Sequence, residues 1–371
     1  MALESDEWVI ERDPYWHTGD QPLGRGNSEV WEVTNSDHNV CARKEIEVKD
    51  ATGDKIKQIR KEIYITRTLK HRHLVEFCEA YYIKADQKFY LLLRPVAEMS
   101  LTGFFELLDQ KQGLEPEQLK AYRRTMCSWP PCLFRALEYL HRERVRHKDI
   151  KPNNILINGE QVYLTDFGIS RDIRNVTTSK TSGPAGAKTE RYMAPEVGDG
   201  EPRGRVADVW SLGCCVLEIC TLASGENSIE GINQHLLGKV RVGTRAPFFC
   251  DYPYKIFDWI MLLLESPGQD EGIRQDIQKM LQLAFLMLDP TPEKRVTATQ
   301  LVDLLDNPGY FRSVVERSCQ DCRNEISISP PEPHFVFREG EGGSVYIPKR
   351  WDLSAETENL WEVVKERWLI V

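Results

Sequence analysis

The chain of 371 residues lacks any run of about 18 apolar residues, the length that a membrane-spanning helix requires, so we expect no transmembrane segment. Positively charged residues are also outnumbered. The chain has 48 lysines and arginines and 57 aspartates and glutamates, which gives a net charge of −9. Nucleic acids and anionic membranes attract basic surfaces, so a general binder of either is disfavoured. Residues 1–13 do not show the basic-then-apolar pattern of a secretory signal, so we expect an intracellular protein, cytoplasmic or nuclear.

Paired cysteines at metal-binding spacing are scarce as well. Ten cysteines are scattered along the chain, several of them within apolar stretches, such as Cys214, Cys215 and Cys220. In an intracellular protein this distribution indicates reduced thiols in the core. The single Cys-x-x-Cys sequence, Cys319 to Cys322, has no second pair at zinc-finger spacing. The sequence therefore favours ordinary thiols there over a metal or redox site.

Strand-like runs and one amphipathic helix precede residue 95, and helices dominate after it. The strand-like segments are 16–50, 74–83 and 88–94, and the helix among them is 54–70. The later helical segments are 103–110, 116–142, 206–222, 253–265, 271–288 and 297–305. This order predicts an α+β protein with an N-terminal extension (1–15), a small β-rich lobe (16–94), a larger, mainly helical lobe (95–310) and a C-terminal extension (311–371). Ligand clefts favour such junctions between lobes.

Residues that carry chemistry cluster near the middle of the chain. From His147 to Asn154 the sequence reads His-Lys-Asp-Ile-Lys-Pro-Asn-Asn, and Asp166-Phe167-Gly168 begins twelve residues after Asn154. This order supplies a carboxylate to accept a hydroxyl proton, a lysine to approach phosphate, and amide and carboxylate oxygens of the kind that bind Mg²⁺. Phosphoryl transfer needs such a set, because it is catalysed mainly by positioning and charge neutralisation.

These two runs resemble the catalytic loop and the metal-binding triplet of eukaryotic protein kinases of the serine/threonine type. The resemblance covers about residues 18–308 and implies the bilobal protein kinase fold, with ATP and Mg²⁺ in the cleft. It makes Asp149 the catalytic base, and Lys151 a contact of the transferring phosphate that goes with Ser/Thr rather than Tyr acceptors. It makes Asn154 and Asp166 the ligands of Mg²⁺.

A glycine-containing segment in the small lobe resembles the family's phosphate-covering loop. From Leu23 to Val30 it reads Leu-Gly-Arg-Gly-Asn-Ser-Glu-Val, and the resemblance places Leu23, Gly24, Gly26 and Val30 against the nucleotide. The family's third glycine is missing, so we expect a tighter lid and weaker ATP affinity. By itself this segment is equally consistent with an ordinary hairpin turn.

The remaining nucleotide contacts follow from the same resemblance. Ala42 and Lys44 match the family's third strand, where Lys44 would contact the α- and β-phosphates and pair with Glu62 on the following helix. The alternative for both charged residues is solvated surface. The gatekeeper and the adenine-binding hinge correspond to Leu93, Arg94 and Val96. Because Pro95 has no N–H group, Val96 is the expected backbone donor.

Residues 169–190 are rich in hydroxyl groups and end in a sequence close to the family's Ala-Pro-Glu anchor, Ala194-Pro195-Glu196. They match an activation segment, in which phosphate added by an upstream activating kinase would pair with basic groups such as Lys148 and Arg171. Lys148 stands where the family commonly has Arg, so its grip on such a phosphate should be looser.

Three structural predictions complete the pattern. Asp208 should bind the backbone of the catalytic loop, as the resemblance implies. The same resemblance implies that Glu196 and Arg295 form a buried ion pair. Pro130 and Pro131 should kink or break the helical segment 116–142, with Cys132 to Arg142 as its second half.

Two functions stay open from the sequence, with protein substrates expected for the first. An active Ser/Thr protein kinase is favoured by the intact set of Lys44, Glu62, Asp149, Asn154 and Asp166. A pseudokinase, which keeps the fold as a nucleotide-binding or scaffold protein, is favoured by the altered glycine-rich loop and by Lys148. A small-molecule kinase on a related fold is disfavoured, because the Ala-Pro-Glu segment serves peptide substrates.

Overall fold

The computed structural model describes residues 9–25, 28–48, 53–110, 114–166, 171–172, 190–198, 204–225, 227–237, 248–265, 271–306, 311–324, 335–340 and 343–348. A twisted sheet and one long helix form the first lobe, and helices form most of the second. The strands of the sheet are β1 (Val9–Ile10), β2 (Tyr15–His17), β3 (Gly24–Arg25), β4 (Glu29–Asn35), β5 (Val40–Glu47), β6 (Glu76–Ile83) and β7 (Lys88–Arg94).

These seven strands follow the order β1-β6-β7-β5-β4-β2, and β3 pairs with β4. All the pairs are antiparallel except β1 with β6. The helix α1 (Gly53–Thr68) contacts β6, with Ile59 and Ile63 buried. Its apolar side chains recur at helical spacing, which is why this charged segment folds as a helix against the sheet.

The sheet begins earlier than the predicted limit of the small lobe at residue 16. Val9 and Ile10 pair with Tyr82 and Ile83, and Tyr15 pairs with Asn35. Two or three residues give too short a pattern for periodicity to reveal a strand, so the extension 1–15 contributes strands that the sequence pattern missed.

The helical lobe is built around α6. Its helices are α2 (Leu101–Gln110), α3 (Pro116–Met126), α4 (Trp129–Arg142), α5 (Pro195–Gly198), α6 (Val206–Ala223), α7 (Ile229–Leu237), α8 (Pro253–Glu265), α9 (Glu271–Met287), α10 (Ala298–Asp306), α11 (Arg312–Arg317) and α12 (Gln320–Asn324). Among the described residues α6 is the one helix long and apolar enough to cross a membrane, but 83% of that span is buried inside the protein. It is the core helix of this lobe.

Further short strands follow residue 95. They are β8 (Met99–Ser100), β9 (Val145–Arg146), β10 (Ile155–Asn158), β11 (Gln161–Leu164), β12 (Arg171–Asp172), β13 (Phe335–Gly340) and β14 (Gly343–Pro348). The strands β11, β10 and β8 form one sheet, β12 pairs with β9, and β13 pairs with β14. The elements α11, α12, β13 and β14 lie in the predicted C-terminal extension.

The prolines break the predicted helix 116–142, as expected. Helix α3 ends at Met126 and α4 begins at Trp129, with Pro130 and Pro131 in its first turn. The first N–H groups of a helix have no partner within it, so proline is well tolerated there. The second half of the segment therefore begins at Trp129 rather than at Cys132.

The predicted buried ion pair is confirmed across a separation of 99 residues. The guanidinium of Arg295 donates from both terminal nitrogens to the carboxylate of Glu196, at 2.8 and 2.9 Å. The Arg295 side chain is 0% exposed, and it also donates to the carbonyl of Asp289. The pair fixes α5 to the segment between α9 and α10.

Replacing Arg295 with Ala should lower the free energy of unfolding by about 3–5 kcal/mol, because the Glu196 charge would stay buried without its partner. Urea denaturation measures the change. The matched control is Asp54→Asn, which removes an exposed ion pair with Lys57 and should change stability by less than about 0.5 kcal/mol. A loss of less than about 1 kcal/mol for Arg295→Ala would contradict the role of the pair.

Candidate active site

The cleft between the lobes receives its first functional side chain from β5. The register pairs Lys44 with Val30 on β4 and with Leu91 on β7, and pairs Ala42 with Leu93. Directly opposed residues in neighbouring strands share a face of the sheet, and so do residues two apart in one strand. Four of the predicted nucleotide contacts therefore lie on one face: Val30, Ala42, Lys44 and Leu93.

Lys44 joins the two lobes electrostatically. Its Nζ lies 2.7 Å from Glu62 Oε1 on α1 and 2.9 Å from Asp166 Oδ1, which belongs to the helical lobe. Burial by itself would lower the pKa of Lys44, but the attraction of the two carboxylates outweighs burial and raises it above its ordinary value. The predicted contact of Lys44 with Glu62 is thus confirmed, and the lysine is held as a cation.

The backbone at Asp166 and Lys148 adopts the left-handed conformation, with φ of 68° and 70°. This region is disfavoured for residues with a Cβ atom and costs of order 1 kcal/mol or more for each, so the surrounding contacts must hold it. At Asp166 it accompanies the contact of the carboxylate with Lys44. At Lys148 it accompanies the turn that leads into Asp149.

The catalytic loop places its predicted residues around one carboxylate. Lys151 Nζ lies 2.8 and 3.0 Å from the two carboxylate oxygens of Asp149. Asn154 donates from Nδ2 to the backbone carbonyl of Asp149 at 2.8 Å and to its Oδ2 at 3.0 Å. Asp149 is therefore fixed in position beside a cation, next to the cleft.

Asp208, in the first turn of α6, holds the catalytic loop in place. Its carboxylate accepts the backbone N–H groups of His147 and Lys148 at 2.9 and 2.8 Å, and it lies 3.1 Å from His141 Nε2. Burial alone would raise the pKa of Asp208, but the hydrogen bond and charge of His141 hold it below its usual value. The predicted contact with the loop backbone is confirmed.

Thr165, a residue that sequence reasoning missed, ties the catalytic loop to the segment before Asp166. His147 Nε2 lies 3.0 Å from the carbonyl oxygen of Thr165, and Thr165 N–H donates to the carbonyl of Asn154 at 3.0 Å. The contacts of Thr165 use its backbone, so no side-chain pattern could have revealed them. They set the spacing of the two predicted Mg²⁺ ligands, Asn154 and Asp166.

The donor set fits Mg²⁺. Asn154 uses its Nδ2 toward Asp149, which leaves the amide oxygen Oδ1 as its ligating end. The Asp166 side chain, 40% exposed, adds carboxylate oxygens beside Lys44. Hard oxygen donors of this kind are the ligands that Mg²⁺ prefers.

The glycine-rich segment forms the β3–β4 hairpin. Gly24 pairs with Val30, and Leu23 N–H donates to the Val30 carbonyl at 2.7 Å. The Leu23 side chain is 48% exposed. The hairpin agrees with both sequence interpretations, a turn and a phosphate-covering loop. Gly26 lies outside the described residues.

The hinge follows β7. Leu93 is buried at the end of the strand, and Val96 is half-buried in the connection to β8. The Arg94 side chain is directed away, toward the β4–β5 turn, where it donates to the carbonyl of Val40 and to Asn39. Any contribution of Arg94 to a nucleotide site is therefore made by its backbone.

The residues at the end of the activation segment are hydrogen-bonded to a buried glutamate that the sequence analysis did not identify. Glu218 on α6 accepts from Arg191 at 2.9 Å and from the Tyr192 hydroxyl at 3.0 Å. Burial raises the pKa of Glu218, opposed by the attraction of Arg191. A lone carboxylate inside the apolar run of α6 was the available signal, because such a group needs a partner. Residues 173–189, which hold most of the hydroxyl groups of the predicted activation segment, lie outside the described residues.

The comparisons with known proteins agree with this geometry. The family model of the protein kinase domain matches residues 17–304, so the chain belongs to the protein kinase family. The predicted superfamily, of the serine/threonine type, and the predicted α+β bilobal fold are confirmed.

Several relatives carry kinase names. Mitogen-activated protein kinase kinase kinase 1b of Physcomitrium patens is 28% identical over 365 residues, which cover 87% of this chain and 44% of that protein. Mitogen-activated protein kinase kinase kinase 3 of Homo sapiens is 34% identical over 175 residues, 46% of this chain and 26% of that protein. Serine/threonine-protein kinase TIO of Arabidopsis thaliana is 35% identical over 179 residues, 48% of this chain and 12% of that protein. The matches span less than half the length of each of these relatives.

Changing Asp208 to Asn should loosen the catalytic loop. The amide Nδ2 cannot accept a hydrogen bond, so His147 or Lys148 loses the partner of its N–H group. A hydrogen bond to a charged acceptor contributes about 1.5–3 kcal/mol, so local amide exchange should accelerate about tenfold or more. Hydrogen–deuterium exchange of the peptide spanning 145–151 measures this, with residues 76–94 as the internal control. Unchanged exchange in 145–151 would show that Asp208 does not hold the loop.

Proposed function

We propose that this chain catalyses transfer of the ATP γ-phosphoryl group to serine and threonine hydroxyls of protein substrates. The observation that carries the proposal is the position of Lys44, whose Nζ contacts Glu62 from one lobe and Asp166 from the other. A cation held this way at the junction of the lobes is suited to the α- and β-phosphates, and the Mg²⁺ ligands and the base lie on adjoining loops.

Asp149 is the group that receives the proton. As the acceptor oxygen forms its bond to phosphorus, the bond from phosphorus to the β–γ bridging oxygen breaks and ADP leaves. The hydroxyl proton passes to a carboxylate oxygen of Asp149. Asn154 keeps that carboxylate oriented through its 3.0 Å hydrogen bond to Oδ2.

Lys151 acts on charge rather than on protons. It lies against Asp149 and can shift toward the γ-phosphoryl oxygens when substrate enters, because a lysine is a point charge on a flexible stem. Mg²⁺, held by Asn154 and Asp166, would neutralise charge on the phosphate oxygens when bound.

The partners and compartment belong to the same proposal. Relatives named as kinases of kinase cascades support protein substrates, and a position in such a cascade, for this chain. An upstream kinase would phosphorylate the segment between Asp166 and Ala194, which is rich in hydroxyl groups. All ten cysteines lie in the described part of the chain and none of them forms a disulfide, which supports a reducing, intracellular compartment. The net charge of −9 does not favour a nucleic-acid ligand.

Replacing Asp149 with Asn should reduce phosphate incorporation into a protein substrate by about 10²–10⁴-fold, because the amide cannot accept the hydroxyl proton. The affinity for a non-hydrolysable ATP analogue should stay within about threefold, since Asp149 acts on the acceptor hydroxyl rather than on the nucleotide. Incorporation is measured with labelled ATP, and phosphoamino acid analysis should find phosphoserine and phosphothreonine.

The control is Asp54→Asn, an exposed change on α1 that should leave incorporation unaltered. Equal incorporation by the native chain and Asp149→Asn would remove the catalytic proposal. Nucleotide binding without any incorporation by the native chain, after treatment with activating kinases, would favour the pseudokinase instead.

A further inference from the structure

Four side chains with sulfur or nitrogen donor atoms, none of them in the catalytic motifs, converge outside the site described above. They are His73, Cys132, Cys319 and Cys322, and their ligating atoms all lie within 4.8 Å of one another. His73 Nε2 is 3.2 Å from the sulfur of Cys319 and 3.2 Å from that of Cys322. Bonds of about 2.3 Å to sulfur and 2.0–2.1 Å to nitrogen place tetrahedral ligands about 3.4–3.8 Å apart, so a small adjustment would admit one ion.

The imidazole of His73 is already oriented for such a role. Its Nδ1 lies 2.8 Å from the carbonyl oxygen of Val162, which makes Nδ1 the protonated nitrogen and leaves the lone pair of Nε2 directed at the thiols. A hydrogen bond from the second ring nitrogen to a carbonyl is how metal-ligating histidines are usually held. The ring is fully buried, so water does not compete for it.

The thiols are equally well placed. Cys132 lies in the first turn of α4, just after Pro130 and Pro131. Cys319 directly precedes α12 and Cys322 lies within it, and the N–H of Cys322 is 3.4 Å from the Cys319 sulfur. Cys132 and Cys322 are buried. The helix break at the prolines places the start of α4, and with it Cys132, in this cluster.

We propose that His73, Cys132, Cys319 and Cys322 bind one Zn²⁺ ion in a closed, tetrahedral site. Three thiolates and one imidazole are the donors that zinc prefers over harder divalent cations. Four protein ligands leave no position for a substrate, so the site is structural. The expectation of ordinary thiols at Cys319 and Cys322 used spacing alone, and the other two ligands come from distant segments.

The ion would connect the segment after the kinase domain to residues that are hydrogen-bonded to the strand before Asp166. Leu164 N–H donates to the carbonyl of His73 at 2.9 Å, and Val75 N–H donates to the carbonyl of Leu164 at 3.1 Å. Leu164 ends β11, two residues before Asp166. Zinc would therefore fasten α12 to α4 and to the connection between α1 and β6, which borders the strand leading to the predicted Mg²⁺ ligand.

The test uses the full chain without a histidine tag, purified under reducing conditions from zinc-supplemented medium. Elemental analysis should find one zinc ion for each chain. Exchange of zinc for Co²⁺ should give a thiolate-to-cobalt charge-transfer band and the intense visible bands of a tetrahedral site. The double variant Cys319→Ser with Cys322→Ser should lose the zinc and melt at a lower temperature. Cys78→Ser, a partly buried cysteine outside the cluster, should keep both zinc and melting temperature.

The native chain decides the question even if the double variant does not fold. Absence of zinc, together with no cobalt spectrum after addition of Co²⁺, would overturn the proposal. So would a disulfide between Cys319 and Cys322 in the reduced preparation, or full zinc retention by the folded double variant. Because metal content and the cobalt spectrum do not depend on turnover, these outcomes are independent of kinase activity.

Discussion

The contact of one partly buried amine with carboxylates from both lobes is the constraint on which the site depends. Lys44 meets Glu62 only if α1 packs against the sheet, and it meets Asp166 only if the helical lobe closes beneath it. An amine on a side chain only 16% exposed carries a desolvation penalty if it has no partner, so this geometry favours the closed arrangement of the lobes. The same two contacts place the predicted Mg²⁺ ligand beside the predicted phosphate-binding cation.

A series of hydrogen bonds connects the rest of the site to this contact. Asp208 fastens the catalytic loop, Thr165 connects the loop to Asp166, and Asn154 orients Asp149. Each link is a hydrogen bond to a charged group or to a backbone group, which resists displacement more than apolar packing does. The strained backbone at Asp166 and Lys148 lies between these links and is held by them.

The resemblance to the protein kinase family and the chemistry of proline made part of the structure predictable from the sequence. The contacts of Asp208 and of the Glu196–Arg295 pair were predicted from that resemblance, and the helix break was predicted because proline has no N–H group. Contacts made through the backbone, such as those of Thr165, and partners within apolar runs, such as Glu218, were not. The cluster around Cys319 was missed for a related reason, since His73 lies 246 residues away. The strand Val9–Ile10 is too short to show a period.

The magnesium dependence of nucleotide binding tests the central claim most directly. A non-hydrolysable ATP analogue is titrated calorimetrically into the native chain and into Asp166→Asn, with and without Mg²⁺, and Asp54→Asn serves as the control. If Asp166 and Lys44 converge on the nucleotide, Mg²⁺ strengthens binding to the native and control chains and has little effect on Asp166→Asn. An equal strengthening by Mg²⁺ in all three would contradict the account, because the metal would then be held elsewhere.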